Sequence, residues 1–142
     1  MKKSIIDFRQ MAKDGDKIVY ITGYDYLTAK YEERAGVDMI LIGDSLGMVT
    51  LGHDTTYPVT MDDMIAHSSA VRRGAPNTFI IGDMPYMSYQ ISDEEAVFNA
   101  GDPNNATAIS ATGADSKLVG GFGFKNIGTI ENGTVGTSLA GI

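Results

Sequence analysis

Cysteine is absent, histidine occurs only twice, and acidic side chains outnumber basic ones by 18 to 11. The missing thiols exclude a disulfide framework and a thiolate metal site. The formal net charge of −7 argues against a nucleic-acid partner, because phosphate binding needs a basic face. Only Lys2-Lys3 and Arg72-Arg73 form adjacent basic pairs, and neither grows into a patch. No apolar run approaches membrane-spanning length. Lys2-Lys3 leads into Ser4-Ile5-Ile6-Asp7 rather than into the long apolar core of a signal peptide. The expectation is a cytoplasmic protein with no membrane partner. What is present is ordinary for a globular chain, 43% hydrophobic and 20% charged residues in a length that suits one domain.

Helix signals recur at regular spacing. Ser4 and Asp7 mark a helix start, and Gly15 a stop. Asp25 can cap a helix from Tyr26 to Ala35, with Gly36 in the stop position. Thr60-Met61-Asp62-Asp63 opens another, ending at Arg72-Arg73 and Gly74, where cations suit the helix dipole. Ser92 and Glu95 have capping-box spacing. Between these lie strand-like runs, Lys17–Thr22, Val37–Asp44 and Asn77–Asp83. Strands alternating with helical crossovers predict parallel strands in an α/β fold with right-handed connections. From Ser45 to Val59 no helical period is sustained, which predicts a long rim loop, and such loops are usually functional.

Residues 101–142 differ, holding 9 of the 17 glycines and only five charged side chains. Ser116–Gly121 is a candidate fourth strand and Gly133–Gly136 a weak fifth. The expected organisation is a single domain over 1–142, with ordered βα units in 1–100 and a Gly-rich tail in 101–142.

Two stretches share one design. Met39-Ile40-Leu41-Ile42 is a buried-strand run ending in Gly43-Asp44-Ser45, and Phe79-Ile80-Ile81 ends in Gly82-Asp83. The carboxyl ends of parallel strands are where α/β folds bind ligands. Either aspartate alone reads most simply as a helix cap or an Asx-turn. Two in matching strand-Gly-Asp contexts can share one hard cation or one polar substrate. Ser45 is either a turn residue or a substrate contact. His53, in the rim loop, is more simply a hydrogen-bonding group than a metal ligand, and His67 a packed or surface residue.

Several long motifs, in order, resemble the ketopantoate hydroxymethyltransferase family. They are Thr22-Gly23-Tyr24-Asp25-Tyr26, Ile42-Gly43-Asp44-Ser45-Leu46-Gly47-Met48 and Gly52-His53-Asp54-Thr55-Thr56-Tyr57-Pro58-Val59-Thr60. Val71-Arg72-Arg73-Gly74-Ala75-Pro76-Asn77 and Asp83-Met84-Pro85-Tyr86-Met87-Ser88-Tyr89 follow. The likeness runs nearly continuously from about Ile5 to Gly101, and such a series is far more specific than one short motif. It implies a (β/α)₈ barrel of TIM-barrel type, of which this length supplies about the first half, since a whole barrel takes roughly 250 residues. It implies transfer of a one-carbon unit from 5,10-methylenetetrahydrofolate to 3-methyl-2-oxobutanoate, giving ketopantoate for pantothenate and coenzyme A synthesis. It also implies a Mg²⁺-type ion and a homo-oligomer. By the same resemblance Asp44 and Asp83 are metal ligands and substrate contacts, Ser45 holds the substrate carboxylate, and Lys117 is the substrate-binding lysine.

The sequence also departs from that pattern. Val119 stands where the family carries a glutamate near the metal, and Gly136-Thr137 where it carries Gly-His. The general-base glutamate has no counterpart, and His53 and Glu131 are weak substitutes. Two rival readings follow. One is a metal-dependent lyase or mutase of the same superfold, acting on phosphoenolpyruvate or a 2-oxo acid. The other is a catalytically incompetent binding or assembly module.

Overall fold

The computed structural model describes residues 2–100, together with the backbone of 108–110. The element order is α1 (Ile5–Asp14), β1 (Tyr20–Thr22), α2 (Tyr26–Ala35), β2 (Met39–Ile42), α3 (Leu46–Val49), α4 (Met61–Gly74), β3 (Phe79–Asp83), α5 (Asp93–Ala100) and β4 (Ala108–Ser110). The four strands form one parallel sheet in the order β1-β2-β3-β4. This is part of a (β/α) barrel, because each crossover brings the next strand to the same side.

Local chemistry explains most element ends. Ser4 accepts from the Asp7 backbone N–H while Asp7 accepts from the Ser4 N–H, and Thr60 and Asp63 repeat that reciprocal cap on α4. Asp25 accepts from the N–H groups of Leu27 and Thr28 at the start of α2. Gly36 closes α2 at φ +82°, in the left-handed region where a side chain is strained. Gly74 has a different reason to be glycine. It lies inside the last turn of α4, and a Cβ there would stand 2.3 Å from the Tyr26 carbonyl oxygen on α2. The cap residue is Ala75. Gly74 therefore permits close helix packing instead of acting as the left-handed stop that the sequence predicts.

Strand alternation sorts the core into two layers. Met39, Phe79 and Ile81 face one side and bury Ile5 and Phe8 of α1. The Phe8 and Phe79 rings meet edge to face with centroids 5.3 Å apart. Ile40, Ile42 and Ile80 face the other side and pack under Ala29 of α2 and Met64 and Val71 of α4. Each of these fully buried aliphatic side chains contributes on the order of 2 kcal/mol. Helix α1 thus closes the amino end of the inner face and leaves its carboxyl end for other groups.

Two expectations differ from what is found. The fourth strand of the sheet is Ala108–Ser110, paired with β3 from Ile81↔Ala108 to Asp83↔Ser110. The candidate at Ser116–Gly121 lies outside the described residues, as does the weak fifth at Gly133–Gly136. The rim loop from Ser45 to Val59 begins with a single helical turn, α3. A turn this short has no period to read, and Gly47 in its middle disguises it. Gly47 is required because a Cβ would stand 2.5 Å from Val59 Cγ2.

Candidate functional site

The site is built at the carboxyl ends of β1, β2 and β3. Register pairs Ile42 with Gly82, so Gly43, one step beyond β2, comes level with Asp83. Both positions have the inward parity of Leu41 and Ile81. A Cβ on Gly43 would lie 2.7 Å from Ser45 Oγ and 3.4 Å from Asp83 Oδ2. The missing side chain thus opens a space that the Ser45 hydroxyl and the Asp83 carboxylate both border. Asp83 Oδ2 accepts a 3.2 Å hydrogen bond from the Asp44 backbone N–H. Ser45 Oγ lies 2.9 Å from the Tyr24 hydroxyl at the end of β1.

Burial at this rim opposes charge. Burial pushes the Asp83 carboxyl up to about 6, and the negative Asp44 adds to the rise against the opposing hydrogen bond from the Asp44 N–H. Two tyrosines respond to the same charges. The Tyr20 phenol is pushed up to about 12, by desolvation and then by Asp83. Tyr89 is raised by desolvation and by both Asp44 and Asp83. No grouping of three or more His, Cys, Asp or Glu side chains occurs among the described residues.

The structure brings Asp44, Ser45 and Asp83 to one rim. Lys117, Val119, Glu131 and Gly136-Thr137 lie outside the described residues. His53 is exposed, and its backbone N–H donates to the Gly47 carbonyl at 2.8 Å. His67 is half-buried on α4, its Nδ1 2.6 Å from the Tyr24 carbonyl oxygen. Tyr86 lies in the exposed loop against Tyr57, with ring centroids 4.9 Å apart and ring planes tilted by 51°. The sequence reading did not single out Tyr20 or Tyr89. Alternation along β1 puts Tyr20 and Thr22 on the inner face, and that signal was available.

The family model described as ketopantoate hydroxymethyltransferase matches residues 2–128. The chain belongs to that family. The motif series that pointed there is embedded in extensive identity to its members. The 3-methyl-2-oxobutanoate hydroxymethyltransferase of Geobacillus kaustophilus (strain HTA426) is 58% identical over 116 residues, 80% of this chain and 42% of that protein. The Bacillus subtilis (strain 168) protein of the same name is 51% identical over 135 residues, 94% of this chain and 47% of its own. The chain thus spans less than half the length of these relatives. Among solved structures, 2,3-dimethylmalate lyase, of the PEP mutase/isocitrate lyase superfamily, superposes with a TM-score of 0.51 at 20% identity, covering 77% of this chain and 38% of its own. Oxaloacetate acetylhydrolase gives 0.51 at 14% identity, covering 66% and 33%. At such identities the likeness shows the fold and says nothing of the substrate. No helix among the described residues is long and apolar enough to cross a membrane.

Proposed function

We propose that this chain carries the oxo-acid half of a ketopantoate hydroxymethyltransferase site, in which a hydroxymethyl group passes from 5,10-methylenetetrahydrofolate to 3-methyl-2-oxobutanoate. The observation that carries the reading is the space at Gly43, bordered by the Ser45 hydroxyl and by an Asp83 carboxylate that accepts from the Asp44 N–H, in a chain of this family. Asp44 and Asp83 are the residues that hold a Mg²⁺-type ion, whose Lewis acidity favours loss of the proton at C3 of the oxo acid. Ser45 offers its hydroxyl to the substrate carboxylate. The half-buried setting of Asp83 keeps bulk water from screening these charges, which strengthens each interaction at the moment charge moves. Lys117 belongs to the same proposal as a point charge for the substrate's anionic end. The base that accepts the C3 proton is not among the described residues, and exposed His53 is poorly placed for the part. The assembled enzyme is a homo-oligomer in this reading.

Deuterium exchange at C3 of 3-methyl-2-oxobutanoate, with Mg²⁺ and without folate, tests the proposal. Metal-dependent exchange supports it. Binding of the oxo acid without exchange marks the chain as a binding module, and failure to bind removes the proposal.

A further inference from the structure

Ser45 occupies the residue before α3, where a serine ordinarily caps the helix through its hydroxyl. It does not do so here. A capping residue has extended backbone, whereas Ser45 sits at φ −55°, ψ −13°, already helical, and makes no side-chain cap hydrogen bond. Its hydroxyl is spoken for instead by Tyr24, 2.9 Å away and reached across 21 residues of sequence. Tyr24 is itself fixed from the outer layer, because the His67 ring on α4 donates from Nδ1 to the Tyr24 carbonyl oxygen at 2.6 Å. His67 is half-buried, and so is Tyr24. The result is a line of contacts from a helix on the outside of the sheet, through the turn after β1, to a hydroxyl bordering the space at Gly43.

The direction of the Tyr24–Ser45 hydrogen bond matters. A hydroxyl has one proton and two lone pairs. If Ser45 gave its proton to Tyr24, it would have only lone pairs to show the site, and these repel an anion. A phenol is a far more acidic donor than an alkyl alcohol, so the favoured arrangement has Tyr24 O–H donating and Ser45 Oγ accepting. The Ser45 proton is then free to point into the space shared with Asp83. A hydrogen bond received by Ser45 also polarises the one it gives.

We propose that Tyr24 is a positioning residue that donates to Ser45 and so presents the Ser45 proton to an anionic substrate oxygen, with His67 holding Tyr24 in register. This rests on the oxo-acid reading of the site above. Two measurements test it on the 142-residue chain. The first needs no ligand. The ring Cζ resonance of ¹³C-labelled Tyr24 is followed in the native chain and in Ser45→Ala, and the expected result is a clear displacement. An unmoved resonance means that the hydrogen bond does not form, which overturns the proposal.

The second measurement is binding of 3-methyl-2-oxobutanoate in the presence of Mg²⁺ by calorimetry, in a double-mutant cycle. Tyr24→Phe keeps the ring and is expected to weaken binding about 3- to 10-fold. In a Ser45→Ala background the same change is expected to have less than about a 2-fold effect, because the coupling partner is gone. An equal loss in both backgrounds means Tyr24 does not act through Ser45, and the proposal falls. If the native chain does not bind the oxo acid with Mg²⁺ at all, the oxo-acid reading fails and the positioning role fails with it. A displaced Cζ resonance in that case still marks the failure as one of ligand class and not of the Tyr24–Ser45 contact.

Discussion

Asp38 and Asp83 are two aspartates at opposite rims of the same sheet, and their surroundings treat them in opposite ways. Asp38, just before β2, is only 7% exposed. Burial alone would raise its pKa, but an ion pair with Lys3 and a 2.7 Å hydrogen bond from the Val19 N–H more than offset this, and the carboxyl is held below its usual range. Asp83, at the end of β3, is pushed up to about 6 by burial first, with one backbone N–H at 3.2 Å opposing the rise and the second acid, Asp44, adding to it. The amino rim therefore neutralises its buried charge from within the chain and locks α1 onto the sheet. Among the described residues the carboxyl rim offers Asp83 no lysine or arginine ion pair. That difference in surroundings is what the proposed cation site at the carboxyl rim rests on.

The largest effect that would sharpen this contrast is on metal binding. Asp83→Asn is expected to weaken Mg²⁺ binding by more than about 100-fold, read by calorimetry at pH 7, because the proposed site would lose one of its two anionic oxygen donors. Unchanged affinity would show that the ion is held elsewhere. The same variant breaks the pH contrast. The folded pKa of Asp83 lies above the ~4 of an unfolded aspartate, so the folded chain binds more protons between the two values. Without divalent ions, the stability tied to Asp83 is full below pH ~4 and is lost as pH rises past about 6. The loss is on the order of 3 kcal/mol. Denaturant titrations across that window should show Asp83→Asn flatter than the native chain and more stable at pH 7. A parallel pair of curves would mean that Asp83 ionises normally.

Lys3→Met attacks the opposite rim. Here the sign reverses, since a depressed folded pKa gives stability that is present above pH ~4 and lost as pH falls through the folded value. The substitution should cost about 1–2 kcal/mol at pH 7, a modest figure because the lysine side chain is 43% exposed. The cost should vanish in acid. A smaller effect is expected in the loop after β3, where Met87 is held at φ +66°. Met87→Gly relieves that strain but frees the unfolded chain, so a gain of less than about 1 kcal/mol is expected in thermal unfolding.

Elements whose ends are settled by neighbours in sequence were readable from sequence. The caps at Ser4, Asp25 and Thr60 work through residues two or three positions away, and α1, α2 and α4 stand where those signals put them. Elements settled by distant partners were not. β4 is held by its ladder to β3, and the Ala-Ile-Ser that forms it has no apolar run to announce it. Gly74 looked like a stop, but its reason lies 48 residues away at Tyr26. The site divides along the same line. Asp44, Ser45 and Asp83 stand in short strand-Gly-Asp phrases and were visible as candidates. The roles of Tyr24 and His67 depend on contacts spanning 21 and 43 residues, which no local pattern encodes.

The bare α-carbon at position 43 has a practical corollary. One methyl group placed there by Gly43→Ala would stand 2.7 Å from Ser45 Oγ and push that hydroxyl aside, while leaving every carboxylate chemically unchanged. It would be a steric plug with no chemical signature of its own. Such a plug separates what the cavity does by its shape from what the acids do by their charge.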